Sequence, residues 1–269
     1  MHPILFEIGQ FPVYTYGLLL AAAYLLGLQF ALVRARTRGL DPNRVMDLGI
    51  WIIVSALLGA KLLLLIVEFD KFGSDPRELL NLARSGGVFY GGLIAAVAVA
   101  LWYLRRHKMP VWTVTDVFAP GIALGHVVGR LGCLFAGCCF GRPTDVPWAI
   151  TFDSEFAARN VGTPLGIPLH PTQLYEAGAE LIILVLLLVA ERRGRPFPGR
   201  TFWGYMLLYG ISRFVIEFYR NDPRGMVGDF STSQFVSMLL VPLSIVMLFL
   251  LSRRTGPEPA SGVRRARAA

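Results

Sequence analysis

The stretch GHVVGRLGCLFAGCCFGR, residues Gly125–Arg142, begins inside an apolar run and ends in a more polar segment. It carries Arg130, His126 one helical turn earlier, and all three cysteines of the chain. Placing an arginine in a hydrocarbon environment costs about 2.5–3.5 kcal/mol on insertion scales, so an arginine in such a run usually serves a function. The stretch therefore predicts a functional site on a helix in an apolar environment.

The composition of the 269-residue chain is typical of an integral membrane protein. Hydrophobic residues make up 54% of it and charged residues only 16%, whereas soluble domains usually carry about 25% charged residues. The net charge of +8 would suit a nucleic-acid partner. The positive residues, however, lie in short clusters between apolar runs, which is a signal of membrane topology. We therefore expect a membrane protein with no nucleic-acid partner.

Seven apolar runs predict seven transmembrane helices, since about 20 residues at about 1.5 Å rise per residue cross a bilayer. The runs are Val13–Val33, Val45–Val67, Val88–Leu104, Val111–Phe135, Leu174–Ala190, Thr201–Phe218 and Ser233–Leu251. They indicate an all-α membrane protein with one seven-helix domain over residues 1–252. The N-terminal sequence lacks the basic segment of a cleavable signal peptide, so we expect the first run to be retained.

The basic residues indicate an orientation. Sixteen of the 26 Lys and Arg residues lie on one side of the predicted membrane and seven on the other, and Lys61, Arg130 and Arg213 lie inside runs. Because loops rich in Lys and Arg face the cytoplasm, we expect the N-terminus outside and the C-terminus in the cytoplasm.

The same topology assigns the connecting segments. The outer side would carry the loop of residues 68–86 and a longer loop of about residues 137–170, in which WAITF and DSEFAARN predict a short strand and a short helix. The basic tail, residues 253–269, is expected to be disordered and close to the membrane.

Polar residues within the runs recur at helical spacing and so share helix faces. Two such faces consist of Gln173, Glu176 and Glu180, which begin just before the fifth run, and of Tyr209, Arg213 and Glu217 in the sixth. Arg130 and Arg213 lie on different helices and both approach the outer leaflet in this topology. Because the planar guanidinium suits a phosphate, we interpret them as a clamp for a lipid phosphate. A structural ion pair between Arg213 and Glu217 is the alternative.

The third run opens with GGVFYGGL, in which glycine pairs flank Phe89 and Tyr90. Glycine permits the close approach of a ligand or of another helix. The position of Tyr90 at the outer interface favours a contact with a lipid headgroup, with plain helix packing as the alternative. Lys61 in the second run requires a partner on another helix or an anionic ligand.

Together these motifs resemble the prolipoprotein diacylglyceryl transferase family. The resemblance covers nearly the whole chain and is carried by YGLLLAAAYLLG, GGVFYGGLIAA, DVFAPGIALGHVVGRLGCLFAGCCFG, HPTQLYE and YGISRFVIEFYR. It implies a seven-helix enzyme of the bacterial plasma membrane whose active site faces the outer side. The implied reaction moves the diacylglyceryl group of phosphatidylglycerol to the lipobox cysteine of a prolipoprotein signal peptide, forming a thioether and releasing glycerol phosphate without a cofactor.

The resemblance also implies a set of site residues. Arg130 and Arg213 match the family's two essential arginines, and Tyr90 occupies the third catalytic position. The residues expected to bind substrate are Tyr16, Lys61, Gly87, Gly91, His126, Cys133, Gly141, His170, Gln173, Glu176, Tyr209 and Glu217.

Three positions depart from the family's pattern. Tyr90 stands where the family usually has a histidine proposed as the base, Cys133 replaces an asparagine, and Lys61 replaces an arginine. Since free tyrosine titrates near pH 10, we interpret Tyr90 as a positioning group and leave His126 and His170 as alternative bases. A divergent relative that binds phospholipid or modifies another acceptor remains the alternative. A transporter is less favoured because the sequence contains no internal repeat.

The three cysteines have no assigned role at this point. Their spacing fits no standard zinc site, so no metal is expected. A disulfide from Cys133 to Cys138 or Cys139 on the oxidising outer face is the alternative. Small buried apolar side chains are the leading interpretation.

Overall fold

The computed structural model describes residues 2–9, 11–69, 87–193, 197–221 and 225–254. Within these ranges the helices are α1 Thr15–Thr37, α2 Pro42–Val67, α3 Phe89–Arg106, α4 Val111–Ala136, α5 Glu155–Val161, α6 Thr172–Arg193, α7 Arg200–Glu217 and α8 Thr232–Arg254. Three antiparallel pairs of short strands join β1 Ile4–Ile8 to β2 Phe11–Tyr14, β3 Ile150–Thr151 to β4 Pro168–Leu169, and β5 Met226–Val227 to β6 Phe230–Ser231.

Each of the seven predicted runs coincides with a long helix, so the helical prediction is confirmed. The short strand and short helix expected between residues 137 and 170 are also present, as β3 and α5. Ser154 caps α5 by accepting a hydrogen bond from the Ala157 amide at 3.3 Å, and Gly162 ends the helix in the left-handed conformation at φ 70°, as glycine commonly does.

Five of the described helices, α1, α2, α4, α6 and α8, are long and apolar enough to cross a membrane. The chain is therefore a multi-pass membrane protein. The other two long helices have 18 residues each. Their charged residues lower the mean hydropathy, because α3 ends in Arg105 and Arg106, and α7 contains Arg200, Arg213 and Glu217. Seven membrane crossings and their orientation stay predictions.

The chain divides into two compact units, which we describe separately. The first comprises residues 28–118. In it α2 and α3 lie so close that a Cβ added to Gly91 would be 2.5 Å from the Leu63 Cβ, and one added to Gly87 would be 2.7 Å from the Ala60 Cβ. The buried core of this unit contains Ala31, Ala35, Val45, Leu48, Tyr103, Leu104, Met109, Val114 and Val117.

The second unit comprises residues 1–27 and 119–269. In it the first half of α1 approaches α4 through small residues, since a Cβ on Gly27 would lie 2.7 Å from the Gly121 carbonyl oxygen. Small residues at a helix contact let two backbones come together in a membrane protein. This unit also contains α5–α8. The assignment of residues 1–252 to a single domain stays a prediction.

A backbone crossing ties three parts of the second unit together. The Gly141 amide donates to the His170 carbonyl at 3.1 Å, the Arg142 amide to the Tyr219 carbonyl at 2.8 Å, and the Asn221 amide to the Phe140 carbonyl at 3.2 Å. The segment after α4 is thereby fixed between His170, two residues before α6, and the residues after α7.

Two sequence predictions cannot be compared with the fold. Residues 70–86 of the first outer loop and residues 255–269 of the basic tail lie outside the described residues.

Candidate active site

Three arginine side chains converge on the carboxylate of Glu176. Arg213 Nη1 and Arg220 Nη1 donate to Glu176 Oε1 at 2.8 and 2.6 Å, and Arg130 Nε contacts the other oxygen, Oε2. The four residues come from α4, the start of α6, α7 and the segment just after α7. The Glu176 carboxylate therefore joins α6 to α7 and to the segment after it through charge-assisted hydrogen bonds, which are the stronger class, and to α4 through the ion pair with Arg130.

Arg213 is held by further partners at the other edge of its guanidinium. Its Nη2 lies 2.6 Å from Glu217 Oε2 one turn later on α7 and 3.0 Å from the Ser233 hydroxyl at the start of α8. The predicted Arg213–Glu217 pair is thus present within a larger network. A buried charge is tolerated only when it is paired and hydrogen-bonded, as it is here.

The cluster carries a net charge of +1, because three arginines face the carboxylates of Glu176 and Glu217. The side chains of Arg213 and Arg220 are 6% and 2% exposed, whereas that of Arg130 is 15% exposed. Arg130 is therefore the arginine that an incoming ligand reaches most readily. The catalytic roles predicted for Arg130 and Arg213 stay predictions.

Arg220 is a site residue that sequence reasoning missed, since it lies just after the sixth predicted run. Its backbone pairs with Gly141 in an isolated bridge, which turns the side chain toward Glu176. A signal was available, because Arg220 follows Arg213 by seven residues and so continues the face of α7.

The same backbone crossing requires glycine at position 141. A Cβ at this position would lie 2.6 Å from the His170 Cβ and 2.8 Å from the Tyr219 carbonyl oxygen. Only glycine therefore allows the two neighbouring segments to approach this closely. The structure gives Gly141 a role in placing Arg220, and its predicted contact with substrate stays a prediction.

A second polar group lies one turn earlier on α4. His126 Nδ1 lies 2.8 Å from Glu180 Oε1, and the Tyr205 hydroxyl lies within 3.5 Å of both. The His126 ring packs against that of Tyr209 at 5.5 Å between centroids. Glu180 and Tyr205, which were not predicted as site residues, continue the helix faces that hold Glu176 and Tyr209.

The three cysteines form a cluster beside Arg130. Their Sγ atoms all lie within 4.8 Å of one another, and the structure holds them as free thiols. Arg130 Nη1 donates to Cys139 Sγ at 3.6 Å. Hydrogen bonds with Cys133 and Cys138, aided by the nearby charges of Arg220 and Arg130, lower the pKa of the Cys139 thiol.

Comparison with known proteins decides the family. The family model described as prolipoprotein diacylglyceryl transferase matches residues 3–250. The chain belongs to the prolipoprotein diacylglyceryl transferase family.

Individual relatives of this family resemble the chain over almost its full length. A Clostridium tetani protein named phosphatidylglycerol–prolipoprotein diacylglyceryl transferase is 35% identical over 91% of this chain and 96% of its own length. A Clostridium perfringens protein named phosphatidylglycerol–prolipoprotein diacylglyceryl transferase 2 is 34% identical over 95% of this chain and 97% of its own length. A Synechococcus elongatus protein that has the same name as the C. tetani protein is 33% identical over 91% of this chain and 86% of its own length.

Four of the predicted site residues belong to the 28–118 unit and not to the arginine cluster's unit. They are Lys61, Gly87, Tyr90 and Gly91. The Tyr90 ring is 40% exposed and meets the Phe89 ring edge to face at 5.6 Å. Gly87 and Gly91 both allow the close contact between α2 and α3, which is a packing role. The catalytic role of Tyr90 and the binding roles of the other three stay predictions.

Other residues matched to the family lie around the cluster. Tyr16 lines an apolar cleft of about 310 Å³ together with Cys138. Gln173 is fully buried and donates to the Cys138 carbonyl at 2.7 Å. His170 Nδ1 lies 3.0 Å from the Tyr175 hydroxyl, and its ring packs on Tyr219 at 5.2 Å. Their binding roles, like that of Cys133, stay predictions.

Proposed function

We propose that the protein transfers the diacylglyceryl group of phosphatidylglycerol to the lipobox cysteine of prolipoproteins. The observation that supports this most strongly is the convergence of Arg130, Arg213 and Arg220 on Glu176. The names of the full-length relatives agree with it. The relatives carry the name of a transferase and none carries the name of a lipid-binding protein, and the geometry of this site supplies the charge that the transfer requires.

The arginine cluster fits the charge of the lipid. Phosphatidylglycerol carries one negative charge on its phosphodiester, and the cluster has a net charge of +1. Arg130, the most accessible of the three, would bind the phosphate through its guanidinium donors. Glu176 would hold the three cations in place before the lipid arrives, which avoids reorganisation during the reaction.

The chemical step is a displacement at carbon. The acceptor thiolate attacks the glycerol carbon that bears the phosphate ester, a C–S bond forms, and the C–O bond breaks. Glycerol phosphate leaves with the bonding electrons and gains a second negative charge. Because that charge develops in the transition state, the net positive field of the cluster accelerates the step. The site also orients thiolate and carbon for attack.

His126 is the better placed of the two candidate bases for the acceptor thiol. It lies one turn from Arg130 on α4, and its Nδ1 is oriented by Glu180 at 2.8 Å. A carboxylate that fixes one ring nitrogen leaves the other to accept a proton, as in nucleophile–histidine–acid sites. His170 instead uses its Nδ1 on Tyr175. We therefore assign the proton of the thiol to His126.

The proposed location follows from the charge distribution. Seven crossings with the N-terminus outside and the C-terminus in the cytoplasm would place the end of α4, the start of α6 and the end of α7 at the outer face of the bacterial plasma membrane. That face is where a precursor signal peptide and phosphatidylglycerol are both available. A reporter fused after residue 252 should report the cytoplasm, and one inserted near residue 153 should report the outside. The opposite pattern would overturn the orientation.

Transfer is tested with purified protein in vesicles that contain phosphatidylglycerol and a lipobox peptide. The expected products are a peptide heavier by one diacylglyceryl group and an equal amount of glycerol phosphate. A peptide with serine in place of the cysteine, and vesicles of phosphatidylethanolamine alone, should give neither product. A protein that binds phosphatidylglycerol but transfers nothing to the cysteine peptide would contradict the proposal and would indicate a lipid-binding relative.

A further inference from the structure

We propose that Cys133, Cys138 and Cys139 form a three-thiolate site for a soft divalent metal ion of the zinc class. Nothing in the proposed transfer requires a metal, so this site is a separate property of the chain. Four residues separate Cys133 from Cys138, and none separates Cys138 from Cys139. This spacing matches no standard zinc motif, so the sequence alone does not predict the site. The fold creates the site from the end of α4 and the turn that follows it.

The distances between the sulfur atoms suit a metal. Zinc binds thiolate at about 2.3 Å, so two sulfurs in one tetrahedral site lie about 3.8 Å apart. The three Sγ atoms already lie within 4.8 Å of one another and need only a small contraction. A disulfide would require about 2.05 Å between two of them and would use only two of the three grouped thiols.

The backbone is held in the conformation that groups the sulfurs. Gly137 and Cys139 both have positive φ, 77° and 63°, and such a conformation is uncommon for a residue with a side chain. The Cys138 carbonyl accepts from Gln173 Nε2 at 2.7 Å, and the Cys139 carbonyl accepts from the Thr172 hydroxyl at 2.6 Å. These two buried side chains at the start of α6 fix the turn and orient the thiols toward Cys133.

The electrostatic surroundings also suit the complex. A divalent ion with three thiolates has a net charge of −1 and would lie beside a cluster with a net charge of +1. Arg130 already donates to Cys139 Sγ, and a hydrogen bond to a ligand sulfur is a typical outer contact of a metal site. Cys138 also lines the 310 Å³ cleft, which gives the ion a route of entry. Three protein ligands leave a fourth position open, as in zinc sites that exchange a ligand.

Occupation of the site should influence lipid transfer, and this consequence rests on the proposed function. The anionic complex would neutralise the positive field that Arg130 presents to the phosphate. Metal should therefore raise the KM for phosphatidylglycerol in the wild-type protein. Cys139→Ser, which removes the ligand nearest Arg130, should make transfer insensitive to the metal.

The direct test is a titration of the reduced, metal-free full-length protein in detergent with Cd²⁺, followed by the thiolate-to-metal charge-transfer absorption. We expect saturation at one ion per chain with release of protons, since thiols must ionise to bind. Cys133→Ser, Cys138→Ser and Cys139→Ser should each weaken binding by at least about 100-fold, at or beyond the loss seen for outer contacts. His107→Gln is the matched control, because it removes a metal-binding side chain that packs on Tyr103, and it should bind normally.

The titration does not depend on transferase activity. A failed transfer assay would therefore contradict the proposed function but not the proposed metal site. Absence of one-to-one binding by the wild-type protein would overturn the proposal, whether or not the variants fold. Equal binding by all three serine variants would show adventitious binding and would also overturn it. A Cys133 disulfide in protein isolated without reductant, together with no metal binding after reduction, would assign the cysteines to redox chemistry instead.

Discussion

Arg220 Nη1 lies 2.6 Å from Glu176 Oε1, so a residue beyond the end of α7 is tied to the first turns of α6. The same oxygen accepts from Arg213, and the other oxygen contacts Arg130. One carboxylate thus holds three cations that would otherwise repel one another. The stability of the site and its affinity for phosphate should both depend on Glu176.

Glu176→Gln should strongly destabilise the protein. Removal of one partner from a buried ion pair costs about 3–5 kcal/mol, because it leaves uncompensated charge in a poorly solvated site. The control is Glu155→Gln, which breaks the exposed pair with Arg159 and should cost no more than about 0.5 kcal/mol. Thermal unfolding in detergent measures both. Equal midpoints for the two variants would contradict the buried network.

Gly141→Ala should disrupt the crossing that places Arg220. The added methyl group would lie 2.6 Å from the His170 Cβ and 2.8 Å from the Tyr219 carbonyl oxygen. Overpacking of this kind typically costs about 1–3 kcal/mol, and displacement of Arg220 should also lower the transfer rate. Gly178→Ala is the control, because nothing lies within 4 Å of its added Cβ in α6. If the Gly141→Ala protein were as stable and as active as the Gly178→Ala protein, the crossing at Gly141 would not be what places Arg220.

His126→Gln should lower the transfer rate by about 10²–10⁴-fold, the range that general base catalysis supplies. Glu180→Gln should give a smaller loss, because the imidazole of His126 is still present and loses only the group that orients it. His170→Gln is the comparison, and a larger loss in it than in His126→Gln would move the base to His170.

The helices of this chain could be predicted because each depends on a local property of the sequence. An apolar run of membrane length or close to it marks every long helix, and residues four apart on α7, such as Tyr209, Arg213 and Glu217, share a face by geometry alone. The arginine pair could also be identified, because a charge inside an apolar run is costly.

The remaining parts of the site depend on contacts between residues distant in sequence. Arg220 joins Glu176 only because Gly141 lets three backbone segments cross. The cysteine cluster depends on the left-handed turn at Gly137 and Cys139 and on the side chains of α6 that hold it. Neither a hydropathy pattern nor a spacing rule contains that information.

The claim that the arginine cluster holds the lipid phosphate during transfer is tested most directly with Arg130→Lys. This variant keeps the charge but loses the planar donor fork, and Arg159→Lys on the exposed face of α5 is its control. The measurement is the rate at which a lipobox peptide gains one diacylglyceryl group in phosphatidylglycerol vesicles. We predict a loss of at least about 100-fold for Arg130→Lys, in the range found when one charge-stabilising donor is removed, and a normal rate for Arg159→Lys. A folded Arg130→Lys protein that transfers at the normal rate would contradict the account.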